Sequence, residues 1–363
     1  MLLIFIDGLP CDVAAKTLDV LQDANIHESE PGIGFSNNLY PEMLAGQNPD
    51  EIGYFNEWSP IKNEKKRLPI WIRALDIFRG SLYINAGIRK IILKKIFNLN
   101  FSNIPFKYAH LFKPQGSHDF RVQKDGILID YNFRIFDAVE QDGKVGTRDE
   151  KAINKALSDV SEQNTLVSLM DVDNLCHVYG IASPEVQQHI KFLNQAITKL
   201  IKAYSLINQN LEVVLFSDHG MAEVTRIQSL DLEKAFGPME KSKYLYFIDS
   251  TFLRVWTGNG GLKEQISTYL SGLNYGNILT TEERIEFGLT NTEFGDIIFR
   301  ASEKTIFLPN FYGSRPVKAM HGYDSKLKSQ KAFISRVQGI RDSNQIPKKS
   351  KDVYKFLLEL LET

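Results

Sequence analysis

The sequence predicts an α/β fold: a central, largely parallel sheet with helices on both faces and a small cap inserted into it. Three observations lead there. Five short apolar runs rich in Val, Ile and Phe read as buried strands: "LLIFID" (2–7), "TLVSLMDV" (165–172), "LEVVLFSD" (211–218), "YLYFID" (244–249) and "DIIFRA" (296–301). Between them lie stretches with the helical period, "DEKAINKALSDVSEQ" (149–163) and "SPEVQQHIKFLNQAITKLIKAYSLI" (183–207). Strands that alternate with long helices belong to a parallel sheet covered on both sides. The length, 363 residues with 43% hydrophobic, suffices for a sizeable core. We therefore expect one domain over 1–363, with an insertion or cap over 60–130.

Each element has its local reason. The chain opens "MLLIFIDGLP", apolar but without a basic start and interrupted at Asp7. That reads as a first strand, too short for a signal peptide or a membrane span. Ser183 precedes the longest helix as an N-cap, with Glu185 in its first turn. A last helix is expected over 351–362. Residues 80–118 break the rhythm: they hold Arg89, Lys90, Lys94, Lys95, Lys107 and Lys113 and no acid. Within them "AGIRKIILKKIF" (87–98) is a basic amphipathic helix candidate. It could face a membrane surface or an anionic, lipid-linked substrate, or simply pack its apolar side on the core.

Bulk charge excludes some functions. A net charge of −1 gives no field that would favour nucleic acid, so none is expected as a partner. Cys11 and Cys176 form no CxxC, so a disulfide framework is not expected and a cytoplasmic location is.

The chemistry collects at strand ends, where open parallel sheets bind ligands. The first strand ends in Asp7. The second runs into "DVDNLCHVYG", which carries Asp173 and His177 four apart, on one face of a helical turn. The third delivers Asp218 and His219 in "LFSDHGM". Later, "KAMHGYDS" places His321 on a Gly-flanked loop. Each alone has a plainer reading: a helix cap, a surface ion pair, an ordinary loop, a structural histidine. Together, carboxylates and imidazoles suit zinc and do not suit calcium, which takes oxygen ligands. A nucleophile candidate, Ser36, stands just ahead of a short helix expected at about 39–45. Serine there can be an N-cap, and it also sits where helix amides favour a phosphate.

In this order the residues resemble the alkaline phosphatase superfamily, and within it the type I phosphodiesterase/nucleotide pyrophosphatase family. The start "FIDG", Ser36 with Gly46, Pro49 and Gly53 at the family's spacing, Asp173 with His177, the run Ser217 to Met221, and the run His321 to Asp324 carry the resemblance. It implies two zinc ions, other divalent metals being alternatives. One would be held by Asp173, His177 and His321, the other by Asp7, Ser36, Asp218 and His219. A metal pair about 4 Å apart can clamp both oxygens of an in-line displacement. The resemblance also implies that Ser36 forms a covalent phospho-enzyme species. The expected activity is hydrolysis of a phosphodiester or phosphoanhydride in a phosphorylated small molecule or lipid-linked substrate. Alternatives on the same scaffold are a phosphotransferase, a phosphomonoesterase, a phosphonate hydrolase or a non-catalytic homologue.

The sequence departs from the family in three places. Thr-x-Pro-Asn reads Ser36-Asn37-Asn38-Leu39, and the usual His before Gly53 is Ile52. The family's phosphate-binding Asn has its nearest counterpart in Asn56, one residue short, with Glu57 at the expected position. A monoester site usually adds cationic groups. No further acid cluster near the motifs suggests a third metal, and Arg315 reads more readily as a surface residue. A diester or anhydride is therefore favoured.

Overall fold

A computed structural model describes residues 1–33, 35–61, 103–115, 126–258, 260–339 and 347–362. The chain divides into two compact units: Met1–Ile52, His118–Val224 and Val317–Thr363 form the first, Gly53–Ser117 and Thr225–Pro316 the second. Of the 60–130 segment expected as a cap, 60–61 and 103–115 belong to the second unit and 126–130 to the first. The basic stretch 87–98 lies outside the described residues.

The first unit is built on a six-stranded sheet: β1 (Leu2–Ile6), β2 (Ile26–Ser29), β3 (Arg134–Asp137), β4 (Thr165–Leu169), β5 (Val213–Phe216) and β6 (Ala332–Gln338). The strand order is β2-β6-β5-β1-β4-β3. Strands β3, β4, β1 and β5 are parallel neighbours, while β6 runs antiparallel between β5 and β2.

Side chains alternate across these strands and both sets are buried. Leu2, Ile4 and Ile6 of β1 join Val167, Leu169, Val213 and Leu215 in one core. Leu3 and Phe5 join Leu166, Val214 and Phe216 in the other. Four helices cover the first face: α1 (Cys11–Thr17), α3 (Arg148–Ser158), α4 (Asp171–Tyr179) and α5 (Pro184–Ser205). Among the described residues, the second is covered by α2 (Ser36–Ala45), the short helix Ile127–Asp130 and α6 (Ser350–Glu362). On α5, Ser183 is the N-cap and its hydroxyl accepts from Val186 N, as its sequence position predicts.

The second unit is antiparallel. Its four-stranded sheet runs in the order Tyr244–Ile248, Phe252–Thr257, Ile297–Ala301, Gly276–Ile278. Two of the five strands expected from the sequence thus lie outside the parallel sheet. A buried run without alternation fits either kind of sheet, so the sequence pattern does not separate them. The buried Arg254 guanidinium lies over Phe55, Phe247 and Trp256 and donates to Trp58 O. Among the described residues, no helix is long and apolar enough to cross a membrane.

One buried acid of the first unit bears on the helix that carries Ser36. Glu42 of α2 is bonded by the Ser350 hydroxyl at the start of α6. Its carboxylate lies so close to Gly32 that a Cβ there would meet Oε2 at 2.4 Å. Burial pushes Glu42 from its ordinary 4.5 up to about 7, although Ser350 and Lys351 act to lower it. The folded state therefore holds this proton to higher pH than the unfolded chain does. Stability from the group is complete below about 4.5 and is lost as pH rises through about 7. The loss amounts to roughly 3 kcal/mol at most. Glu42→Gln should recover most of it at pH 8 and flatten the pH dependence across that window. Urea midpoints at pH 4.5 and 8 measure this, and an unchanged slope between them would refute it.

Candidate functional site

The register of the central sheet puts three strand ends side by side. Ile6 of β1 pairs with Leu169 of β4, and Phe5 with Phe216 of β5. Beyond β1 comes Asp7, whose amide donates to Leu169 O at 2.8 Å. Beyond β4 the chain turns directly into α4, which carries Asp173 in its first turn and His177 in its last. Beyond β5 come Asp218 and His219. His321 follows the short strand Ala319–Met320, which pairs with Ala222–Glu223 just after the Asp218–His219 segment.

These side chains converge. His177 Nε2 lies 3.2 Å from Asp173 Oδ1, and His321 Nε2 lies 3.7 Å from the same oxygen. His219 Nε2 is 3.5 Å from Asp7 Oδ1 and 3.4 Å from Asp218 Oδ2. The His219 and His321 rings stack with centroids 3.9 Å apart. His177 Nδ1 meets Ala319 O at 2.8 Å, and His219 Nδ1 meets Gly220 O at 2.9 Å. A carbonyl can only accept, so in both rings Nδ1 carries hydrogen, and Nε2 is the ring nitrogen turned to the carboxylates. That is how imidazoles are oriented for a metal.

Two glycines make room. Gly8 has φ +66°, and a Cβ there would stand 2.8 Å from Asp173 Cβ. A Cβ on Gly220 would stand 2.1 Å from Ser329 O. The glycines after Asp7 and His219 are therefore steric requirements of the site.

Ser36 is the first residue of α2, and its N-cap is Phe35, with no side-chain cap bond. The helix thus starts three residues earlier than the sequence suggests, and the N-cap reading of Ser36 does not apply. Its Oγ instead lies 3.3 Å from Asp7 Oδ1 and 3.2 Å from His219 Nε2.

The donor set fits divalent cations. Asp7 and Asp218 are buried, and Asp173 nearly so. Asp173 Oδ1 and Asp218 Oδ2 have no hydrogen-bond donor. A buried carboxylate oxygen without a donor is costly unless a cation meets it. Burial, then repulsion from Asp218 and Asp173, pushes the Asp7 carboxyl well above its usual range. Burial acts to raise Asp173 too, but His177, His321 and His219 outweigh it and hold that carboxyl below the usual range. Burial acts to lower His177, while Asp173 and Ala319 O raise it to about 9. Ligand atoms gather within 4.8 Å of one another in two groups, Asp173 with His219 and His321, and Asp7 with Asp218 and His219. His219 thus stands between the two sets that the resemblance separates, and His177 approaches through Asp173.

Asn56 belongs to the second unit. Its amide nitrogen donates to Asp249 Oδ2 at 2.8 Å, and its oxygen accepts from Trp58 N at 3.2 Å and the Tyr312 hydroxyl at 2.8 Å. Arg315 is an exposed residue of the same unit. Sequence reasoning does not find the residues behind the candidate ligands: Asp149, Asp171, His189 and Arg148. By its sequence Asp149 is an ordinary acid at a helix start, and only its burial marks it out.

The type I phosphodiesterase/nucleotide pyrophosphatase family model matches residues 43–324. The chain belongs to this family. It is therefore of a family of metal-dependent hydrolases of phosphoric esters. The match takes in Asp173, His177, Asp218, His219 and His321, while Asp7 and Ser36 precede it. No curated protein matches the sequence. Among solved structures, murine ectonucleotide pyrophosphatase/phosphodiesterase 5, in an inactive form with AMP, is similar over 100% of this chain and 94% of that one, with 17% identity and a TM-score of 0.60. Its human counterpart gives 15% identity and a TM-score of 0.64, over 100% and 94% of the two chains. Phosphonoacetate hydrolase from Sinorhizobium meliloti, in complex with phosphonoacetate, gives 14% and 0.63, over 100% and 95%. At these identities the likeness is one of fold, that of alkaline phosphatase-like proteins.

The close approach at Gly8 yields a test. Gly8→Ala places a Cβ against Asp173 on a backbone that disfavours it, which should destabilise the protein by about 1–3 kcal/mol. It should also weaken divalent-metal uptake, because Asp173 must move. Calorimetric metal titration beside thermal unfolding would show both, and wild-type uptake in a destabilised variant would contradict the steric assignment.

Proposed function

We propose that this chain is a zinc-dependent phosphodiesterase or pyrophosphatase that works through a covalent Ser36 phospho-enzyme. One observation carries the reading. The Ser36 hydroxyl lies within 3.3 Å of Asp7 and His219, at the edge of a cluster of three imidazoles and three carboxylates, two of them buried and the third nearly so. A serine hydroxyl is a weak nucleophile on its own and needs such a setting. Asp173, His177 and His321 would hold one cation, and Asp7, Ser36, Asp218 and His219 the other. Bound there, the cations would polarise phosphoryl oxygens and lower the pKa of a hydroxyl or water beside them.

The remaining work falls to the chain. Ser36 Oγ forms a bond to phosphorus as the bond to the leaving oxygen breaks, and that oxygen departs as an alcohol or phosphate. Water then breaks the bond between Ser36 and phosphorus, which restores the hydroxyl and releases the phosphorylated product. Ser36 heads a ten-residue helix, so the positive end of the helix dipole faces the anionic phosphoryl group throughout. Asp7 and Asp218, fixed on adjacent strands, keep that geometry through both steps. The cytoplasmic location belongs to the same proposal, supported by two free and buried cysteines.

Two measurements test this. With bis(4-nitrophenyl) phosphate as substrate and zinc in excess, Ser36→Ala should lower kcat at least about a thousand-fold. Equal turnover by the variant would remove the covalent route. Chelation should abolish activity and zinc should restore it. Faster hydrolysis of 4-nitrophenyl phosphate or of phosphonoacetate would replace the diester assignment with a monoesterase or a phosphonate hydrolase.

A further inference from the structure

Beside the ligand helix lies a second cluster that takes no part in the proposed chemistry. Asp149, Asp171 and His189 are buried, and their ligand-type atoms lie within 4.8 Å of one another. Such a trio could hold a cation, but its oxygens are already occupied. Asp149 Oδ1 accepts from Met170 N at 2.7 Å and Asp171 N at 3.2 Å, while Oδ2 faces His189 Nε2 at 2.8 Å. Asp171 Oδ1 accepts from Arg148 Nε and Nη2 at 2.8 and 2.7 Å. Its Oδ2 accepts from the amides of Arg148 and Asp149 at 2.8 and 3.2 Å. This differs from Asp173 and Asp218, each of which keeps an oxygen without a donor.

The pattern is reciprocal. Asp149, second residue of α3, caps the start of α4. Asp171, first residue of α4, caps the start of α3. Neither helix receives a side-chain bond from its own N-cap, Thr147 or Met170. The first amides of a helix have no partner within it, so each helix supplies what the other lacks. The braced corner at Met170 and Asp171 stands just ahead of Asp173 and one further turn ahead of His177. Asp7 and Asp218, by contrast, hang on β1 and β5.

We propose that Asp149, Asp171, Arg148 and His189 are positioning residues for one half of the metal centre, the half that uses Asp173 and His177. The proposal rests on the two-metal reading above. The test is titration of the metal-free full-length chain with Co(II), followed by visible absorption against a competing chelator. Wild type should take up two equivalents. If it takes up none, the metal reading falls and this proposal falls with it.

Asp149→Asn and the milder His189→Gln should each weaken one equivalent at least about ten-fold, the scale of partners behind metal ligands, and leave the other within about two-fold. Added to His177→Ala, Asp149→Asn should cost little more, because both act on one site. Added to Asp218→Asn, its effect should add in full. Urea midpoints taken alongside separate these effects from unfolding, and His189→Gln serves if Asp149→Asn does not fold. Equal weakening of both equivalents, or lower stability with both affinities unchanged, would show the network to be merely structural.

Discussion

The centre is governed by a single electrostatic constraint: three aspartates, each beyond the end of a parallel strand, meet with little exposure to water. Asp7, Asp173 and Asp218 cannot all stay ionised there unaided, since charges repel strongly where the surroundings are poorly polarisable. Among the protein's own groups the compensation is partial. Asp7 is driven towards its protonated form, and Asp173 is held ionised by the imidazoles around it. Two carboxylate oxygens still lack donors. A pair of divalent cations would answer this imbalance, and the surrounding architecture serves to keep the acids together in the meantime.

That architecture divides the work between the two faces of the sheet. The helix that begins with Ser36 packs into the core on one face, and the helix that carries Asp173 and His177 into the core on the other. They can reach the same spot because β1 lies between β4 and β5. Asp7 therefore has an acid-bearing neighbour on each side. Gly8 and Gly220 then allow side chain and backbone to approach as closely as the cluster needs. The rigidity comes from the buried strands, and the chemistry sits just past their ends, where backbone pairing has stopped.

Much of this is legible in the residues alone. Three of the five apolar runs are strands of the parallel sheet, and Ser183 caps its helix, because strand burial and capping are local in origin. The metal-type residues stand out because acid and imidazole recur beside glycine directly after apolar runs. Other features are not legible in this way. "YLYFID" and "DIIFRA" look like parallel-sheet strands and belong to a separate antiparallel sheet, since a short buried run has the same composition in both. Helix α2 begins earlier than its sequence suggests: Ser-Asn-Asn reads as loop chemistry, but the amides of Asn38 and Leu39 donate to Phe35 O and form the first turn from Ser36. The engagement of Asn56 with Asp249 and Tyr312 joins residues 193 and 256 positions apart, and nothing local signals it.

The sequence by itself determined the residue types: which acids and imidazoles are available, that they follow strands, and that a serine lies near the start of a helix. Those follow from hydrophobic period, capping and glycine placement, which act over a few residues. Only the tertiary structure decided that β1 stands between its two partners, that His219 faces both carboxylate groups, and that Asp149 and Asp171 cap one another's helices. Strand order and side-chain convergence depend on how distant segments share one core, and that packing is a property of the whole unit.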